Sequence, residues 1–312
     1  MHLKGKTYYH VSTTTPRKWT KLDRDIALAK RLWADIEGEQ HNPQDHTFNG
    51  IVVRYRKEVL PTKALRTQRD NEKELDKLAA VFGIIPIDSI KPHHIKRYMD
   101  ERGKIAKIRA NREKALFSHV FNFARQCGYT DAPNPCAGVK GHKETGRDRY
   151  VEDEEFLAVW NNAHPSVQDA MDLAHLTGQR PADLLKFKRS DIHDGALALT
   201  QNKTGKKLRI EIVGDLQILI ERVLSRKSYN MRVDALLQDG NGQRLTYGAL
   251  RSRFDKARIA AGISFQFRDI RAKTATDTEN LAHAQSLLGH KTRTMTEHYT
   301  RHRKGEKVSP LK

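Results

Sequence analysis

The spacing of apolar positions divides the chain into one short region of strand-like composition and two long stretches of helical period. In residues 1–40, Thr7-Tyr8-Tyr9-His10-Val11 has the make-up of a strand. Thr13-Thr14-Thr15-Pro16 reads as a turn, and Lys18-Trp19-Thr20 as a second short strand. Asp23 is placed to cap a helix carrying Ile26, Trp33 and Ile36 on one face and ending near Gly38. A small β-then-helix unit is predicted.

Residues 45–140 read as all-helical. Phe48, Ile51, Val52, Tyr55 and Val59 recur at helical spacing until Pro61. Thr62 is expected to cap the next helix, whose apolar face includes Leu65, Leu75, Leu78 and Phe82 before Gly83. Pro92 opens a short helix with Ile95, Tyr98 and Met99. A long helix follows with Leu116, Phe117, Val120, Phe121 and Ala124, ending at Gly128. Four such helices predict a compact bundle. Pro133, Pro135, Gly138, Gly141 and Gly146 sit in a stretch, 129–150, of low apolar content. It reads as linker, with 141–150 separating the helical unit from residues 151–312.

Residues 151–312 are mostly helical with one sheet-like interruption. Ala196-Leu197-Ala198-Leu199-Thr200 and Leu208-Arg209-Ile210-Glu211-Ile212 alternate as strands, with Gly205 in a hairpin loop between them. Helices resume near 215–225, 246–261, 267–277, 280–288 and 292–301. The predicted fold is mainly α with a small β-sheet, an α+β class. There is no fixed-period repeat and no low-complexity block.

Charge changes the picture most. The net charge of +19 over 312 residues, with a pI near 9.9, favours a polyanionic partner, nucleic acid before an anionic membrane surface. The excess is spread along the chain, as suits a protein whose several parts track a phosphate backbone. The two cysteines, Cys127 and Cys136, are expected to be reduced thiols. No apolar run approaches the ~20 residues of a membrane span. Met1 to Lys6 lack the apolar core of a signal peptide, so a cytoplasmic location is expected.

Four local contexts carry candidate chemistry. In Leu176-Thr177-Gly178-Gln179-Arg180-Pro181-Ala182-Asp183, Gly178 can end one helix and Pro181 can open the next. Arg180 would then stand at a helix N-terminus, a setting that favours an anion, with Asp183 one turn on to hold its guanidinium. Lys203 lies on the hairpin tip in Gln201-Asn202-Lys203-Thr204-Gly205. Arg268 and Arg271, in Phe267-Arg268-Asp269-Ile270-Arg271, are expected to share a helix face, two like charges that call for an anion. His290 follows Leu287-Leu288-Gly289, and Tyr299 comes nine residues later in Glu297-His298-Tyr299-Thr300-Arg301. Each has a plainer alternative: a capping acid beside a solvated Arg180, a solvated lysine tip, arginines neutralised by Asp269, a carbonyl-bonded His290, a half-buried Tyr299.

Taken together, Arg180, Lys203, Arg271, His290 and Tyr299, in this order and in these contexts, resemble the catalytic domain of the tyrosine recombinases, the phage-integrase family. The resemblance covers 151–312, extends more loosely to the family's helical core-binding domain over 45–140, and in outline makes 1–40 similar to an arm-type DNA-binding element. It implies a DNA breaking-rejoining enzyme that needs neither metal, cofactor nor ATP. Tyr299 would be the nucleophile, Arg180 and Arg271 the phosphate clamp, Asp183 the supporting acid, Lys203 the hairpin lysine and His290 a further donor. At one position the chain departs from the pattern: Arg268 stands where the family usually has His. An arginine is a poor general base, so Arg268 is expected to add charge to the clamp.

The resemblance further implies double-stranded DNA as partner, a homotetramer on that DNA assembled through the residues after Tyr299, and a DNA-bending accessory protein. Lys63, Arg66 and Arg69, and Arg109, Asn111, Arg112 and Lys114, are candidate DNA contacts on helices, with solvated helix faces as the alternative. His298 and His302, four apart, could mimic a zinc pair but lack obvious further ligands. His93 and His94 read as an exposed pair. Two other activities fit the same residues: a type IB topoisomerase, and a DNA-binding regulator that kept the fold and lost catalysis.

Overall fold

In the computed structural model, residues 1–12, 16–38, 46–147, 149–278, 280–300 and 310 are described; the expected turn at Thr13–Thr15, His302 and the residues after Thr300 other than Pro310 lie outside them. The chain forms two compact units, 1–145 and 146–312.

The first unit opens with a three-stranded antiparallel sheet, β1 (His2–Lys4), β2 (Thr7–Val11) and β3 (Trp19–Lys21), in the order β1-β2-β3. Strand β1 is not legible in the hydrophobic pattern: it is three residues long and exposed throughout. Helix α1 (Ile26–Gly38) packs on β2. Its cap is Asp25, which accepts from the backbone N–H of Ala27 and Leu28 at 2.9 Å; Asp23 instead holds the N–H of Asp25. The face directed inward carries Ala29, with Leu22 beside it, while Ile26 and Trp33 are exposed.

The helical part of this unit begins at α2 (Phe48–Glu58), capped by Thr47, whose hydroxyl accepts from Gly50 N–H at 3.2 Å. Phe48, Ile51, Val52 and Tyr55 are buried, one stripe at helical period. Pro61 falls in a 3-10 turn, Leu60–Thr62, and Thr62 donates back to the Val59 carbonyl rather than capping the next helix. Helix α3 (Leu65–Phe82) starts after Ala64 with no side-chain cap; Leu65 is exposed and the buried stripe begins at Asn71.

The two helices expected after Pro92 are continuous. They form α4 (Pro92–Gln126), broken by one residue, Ala106 at φ −155° and ψ 76°. Across that kink the buried Glu113 accepts a forked pair of bonds from Arg102, at 2.8 and 3.0 Å, and one from Tyr98 at 2.7 Å. Phe48 stacks on Phe117 at 4.8 Å between centroids, and Phe82 meets both edge-on. Each buried phenyl contributes roughly 2–3 kcal/mol of burial, with about 1 kcal/mol more from ring geometry.

The stretch 129–144 is not free linker. Cys136 is buried, Asn134 bonds Ser118 and Asn122, Lys114 bonds the Val139 carbonyl, and Asn111 holds His142 through both its amide atoms. Low apolar content misleads here because a few packed side chains, Tyr129, Ala132, Cys136 and Val139, attach the segment together with amide bonds from Asn111 and Asn134. Cys127 and Cys136 are both free thiols, and burial pushes Cys136 up to about 12.

The second unit runs α5 (Asp153–Asn161), α6 (Pro165–Thr177), the single turn α7 (Pro181–Leu184), then β4 (Ile192–His193), β5 (Ala196–Thr200) and β6 (Lys207–Glu211). The sheet is antiparallel in the order β4-β5-β6, with Ala196 opposite Glu211 and Thr200 opposite Lys207. Helices α8 (Asp215–Leu224), α9 (Tyr247–Ala260), α10 (Asp269–Asp277), α11 (Leu281–Leu288) and α12 (Arg293–Thr300) follow. One core, including Met171, Leu173, Leu184, Leu197, Leu219, Phe254, Phe265 and Ile270, joins helices α5 through α10 to β5.

Candidate active site

Two helix ends and one hairpin shape the site. Helix α6 stops at Gly178, left-handed at φ +62°, and α11 stops at Gly289, left-handed at φ +68°. Space as well as φ demands glycine at 289: a Cβ there would lie 2.8 Å from the Gln201 side-chain nitrogen. The last carbonyls of both helices face inward, and Arg271, buried in α10, donates to them: Nη1 to Gly178 O at 2.5 Å and Nη2 to Leu288 O at 2.8 Å. A cation on two helix C-termini is well placed for their dipoles.

Nη2 of Arg271 also lies 3.0 Å from Nε2 of His290. That nitrogen must accept, so the ring proton is on Nδ1, which donates to Thr296 Oγ1 at 3.0 Å. Burial, then the charges of Arg271, Arg180 and Lys206, push His290 down to about 4, so the ring is neutral at physiological pH. In this arrangement His290 is an acceptor toward Arg271 rather than the free donor expected. Burial, then the charge of Arg180, pulls Arg271 down to about 10, and the nearby Tyr299 phenol opposes this electrostatically. The Nε of Arg271 is buried with no hydrogen-bond partner among the described residues.

Tyr299, half-buried on α12, stacks on His290 at 5.3 Å and 29° and sits 6.0 Å from the Arg271 guanidinium carbon. Arg180 occupies the N-cap position of α7, its Nη1 3.5 Å from Gln201 Oε1. Asp183 pairs with it loosely through Oδ2, at 3.9 Å, while Oδ1 accepts from the Asn202 N–H at 2.8 Å, fixing the hairpin base. Lys203 is exposed on the hairpin tip.

Arg268 separates from this group. It sits just before α10, at its N-cap, and its side chain is exposed while that of Arg271 is buried. It lines a cavity of about 340 Å³ with Pro181, Tyr247, Arg251 and Arg258. Asp269 neutralises neither arginine, because its carboxylate takes a forked bond from Arg147, at 2.8 and 3.0 Å, and the Gln266 N–H at 2.7 Å. The buried Lys273 pairs with Asp153 and Asp277, tying α5 to α10 beneath the site.

Four residues here carry no signal of their own in the sequence. Gln179 and Gln201 are buried amides joining the Arg180 loop to the hairpin, Thr296 sets the His290 tautomer, and Lys206 adds charge. The His298 ring meets Tyr299 edge-on at 6.2 Å. Among the described residues no three His, Cys, Asp or Glu side chains gather as a metal site.

In the first unit Lys63 donates to the Tyr55 hydroxyl at 2.7 Å, Arg66 pairs with Asp70, Arg109 with Glu74 and Arg112 with Glu144. Lys114 is tied to the Val139 carbonyl, and Arg69 is exposed without an ion pair among the described residues. His94 caps the start of α4 by accepting the Lys91 N–H, with His93 against its ring.

Residues 151–306 match the model of the phage integrase family. The integrase of Escherichia phage HK022 is 32% identical over 92% of this chain and 88% of its own length; that of Escherichia phage lambda is 29% identical over 89% and 85%. The crystal structure of a lambda integrase dimer bound to a COC′ core site superposes with a TM-score of 0.74 at 24% identity, over all of this chain and 99% of that one. A lambda integrase tetramer bound to a Holliday junction gives 0.74 at 23% over 98% of each. The chain therefore belongs to the phage integrase family and is a tyrosine-type site-specific recombinase of a phage or other mobile element.

Proposed function

We propose that this recombinase cleaves double-stranded DNA by in-line attack of the Tyr299 hydroxyl on a scissile phosphate. A Tyr299 O–P bond forms, the bond to the 5′ oxygen breaks, and a 3′-phosphotyrosyl link stores the energy for rejoining. The observation that carries this reading is the stacking of Tyr299 on His290, 5.3 Å between centroids, beside the Arg271 guanidinium.

Arg180 and Arg271 neutralise the non-bridging oxygens, whose charge grows in the transition state. Lys203 gives its proton to the departing 5′ oxygen. The phenolic proton leaves to water, since Arg268 cannot accept it and His290, held down near 4, is a weak base. The Nε of Arg271, without a hydrogen-bond partner among the described residues, is one donor that can turn to phosphate. Trapping on a nicked suicide duplex carrying the element's own junction tests the assignment. Wild type gives a covalent adduct and Tyr299→Phe gives none; an adduct surviving in Tyr299→Phe moves the nucleophile elsewhere.

The remaining parts take supporting roles. The helical region of the first unit grips DNA near the cleavage site through Lys63, Arg66, Arg69, Arg109 and Arg112, and residues 1–40 form a separate DNA-binding arm. Lys114 contributes less, being engaged with Val139. The protein acts as a tetramer on DNA, in the cytoplasm of a prokaryotic host, with a DNA-bending protein assisting. Among the described residues β6 is an edge strand, and its edge, beside a cavity lined by Leu208, Ile210, Val213 and Leu287, offers a place for the tail of a neighbouring copy. None of the described helices is long and apolar enough to cross a membrane.

A further inference from the structure

The side chain of Gln201 is 1% exposed, and both of its amide atoms are fully used. Its Nε2 donates to Leu288 O at 2.9 Å and to Gln179 Oε1 at 2.8 Å. Its Oε1 accepts from Thr204 Oγ1 at 2.8 Å and lies 3.5 Å from Arg180 Nη1. Leu288 O is the same carbonyl that receives Arg271 Nη2. One amide therefore touches the Arg180 side chain, the carbonyl that seats Arg271, and the residue next to Lys203. The hairpin backbone closes on it as well, through Gln201 N–H to Lys206 O and Gly205 N–H to Gln201 O, both 2.9 Å.

We infer that Gln201 is a positioning residue for strand cleavage: its amide holds the 202–205 loop against the end of α11, so that Lys203 is delivered to the leaving oxygen. The inference rests on the proposed cleavage chemistry and adds a residue to it. The tip has few other anchors. Asp183 holds the Asn202 N–H, and Lys186 reaches the Asn202 side chain; Lys203 itself is exposed. Without the amide, the loop loses the Thr204 bond and its seat on Leu288, and an exposed lysine spends most of its time away from the phosphate. A buried amide with four partners is also expensive to replace, since each orphaned donor or acceptor keeps its desolvation penalty.

The step served is proton transfer. As the Tyr299 O–P bond forms and the P–O5′ bond breaks, the Lys203 ammonium gives one proton to O5′ and becomes a neutral amine. A sulfur in place of that bridging oxygen leaves as thiolate and needs no proton. The test compares ordinary and 5′-bridging phosphorothiolate suicide duplexes in wild type, Lys203→Ala, Gln201→Met and Thr204→Val. Cleavage of the ordinary duplex should fall about 100-fold in Gln201→Met, and about 10-fold in Thr204→Val, a half-buried site whose loss leaves the core packed. The sulfur duplex should restore both to within a few-fold of wild type, as it does Lys203→Ala.

If Lys203→Ala is not restored by sulfur, the cleavage reading of Lys203 fails. If Lys203→Ala is restored but Gln201→Met and Thr204→Val are not, or if both cleave the ordinary duplex at the wild-type rate, the inference is overturned. Should Gln201→Met fail to bind DNA in a gel shift, Thr204→Val alone decides.

Discussion

The Arg271 guanidinium donates to His290 Nε2 at 3.0 Å, so the two groups that flank Tyr299 are joined in a state that only a neutral imidazole permits. Protonating the ring would set two cations against each other in a buried site. This relationship has a pH signature.

His290 is held down to about 4 from an unfolded value near 6.5, so the unfolded chain binds the proton more readily. The stabilisation from the neutral ring is complete above pH 6.5 and is lost progressively as pH falls to about 4, by on the order of 3 kcal/mol in total. His175 and His164 are lowered too, by burial first, and add to the same slope. Urea unfolding of wild type and His290→Gln between pH 4 and 7 separates them: the variant should show the shallower loss. NMR should find the His290 ring neutral at pH 5.5; a midpoint at 6.5 or above would contradict this.

Arg268 and Arg271, three residues apart, should behave differently. Arg271 is buried against Gly178 O, Leu288 O and His290, whereas Arg268 is exposed in a cavity with Arg251 and Arg258. Arg271→Ala should slow adduct formation by about 10³-fold. Arg268→Ala should slow it by no more than about 10-fold and make DNA binding less steeply dependent on salt. Equal losses in the two variants would return Arg268 to the clamp.

The buried Glu113, which bridges the kink at Ala106 through Arg102 and Tyr98, should dominate the stability of the helical region. Glu113→Ala leaves Arg102 and Tyr98 without their partner and should destabilise it by about 3–5 kcal/mol. The double variant Arg102→Met with Glu113→Leu should recover most of the loss. Chemical denaturation followed by circular dichroism reads both; a loss below about 1 kcal/mol for Glu113→Ala contradicts the reading.

Some of this is legible in sequence because the signals are local. Gly178 and Gly289 end helices where the chain must turn left-handed, and their neighbours Arg180 and His290 are thereby placed at helix ends. The apolar period of α2 marks its buried stripe, and the alternation of β5 and β6 marks the hairpin. Strand β4 has its own local mark: Asp194-Gly195, at φ 49° and 68°, is a two-residue hairpin turn. The hidden features depend on long-range amide bonds. Gln201 reads as a polar residue at the end of a strand, yet is buried by contacts with residues 179 and 288. The same holds for the fastening of 129–144 by Asn111 and Asn134. Helical spacing puts Arg268 beside Arg271, and Arg268 keeps helical backbone angles, but its side chain lies exposed in a cavity with Arg251 and Arg258 while that of Arg271 is drawn inward by the carbonyls of Gly178 and Leu288.

Strand cleavage by this protein comes down to the chemical identity and polarity of one covalent bond. Trap the wild-type protein on its suicide duplex in the presence of EDTA, digest the adduct, and sequence the DNA-linked peptide by mass spectrometry. A 3′-phosphate joined to Tyr299, formed at an undiminished rate with the metal chelated, is the predicted result. A link to any other side chain, a 5′-phosphate link, or an adduct that forms only when divalent metal is restored would contradict it.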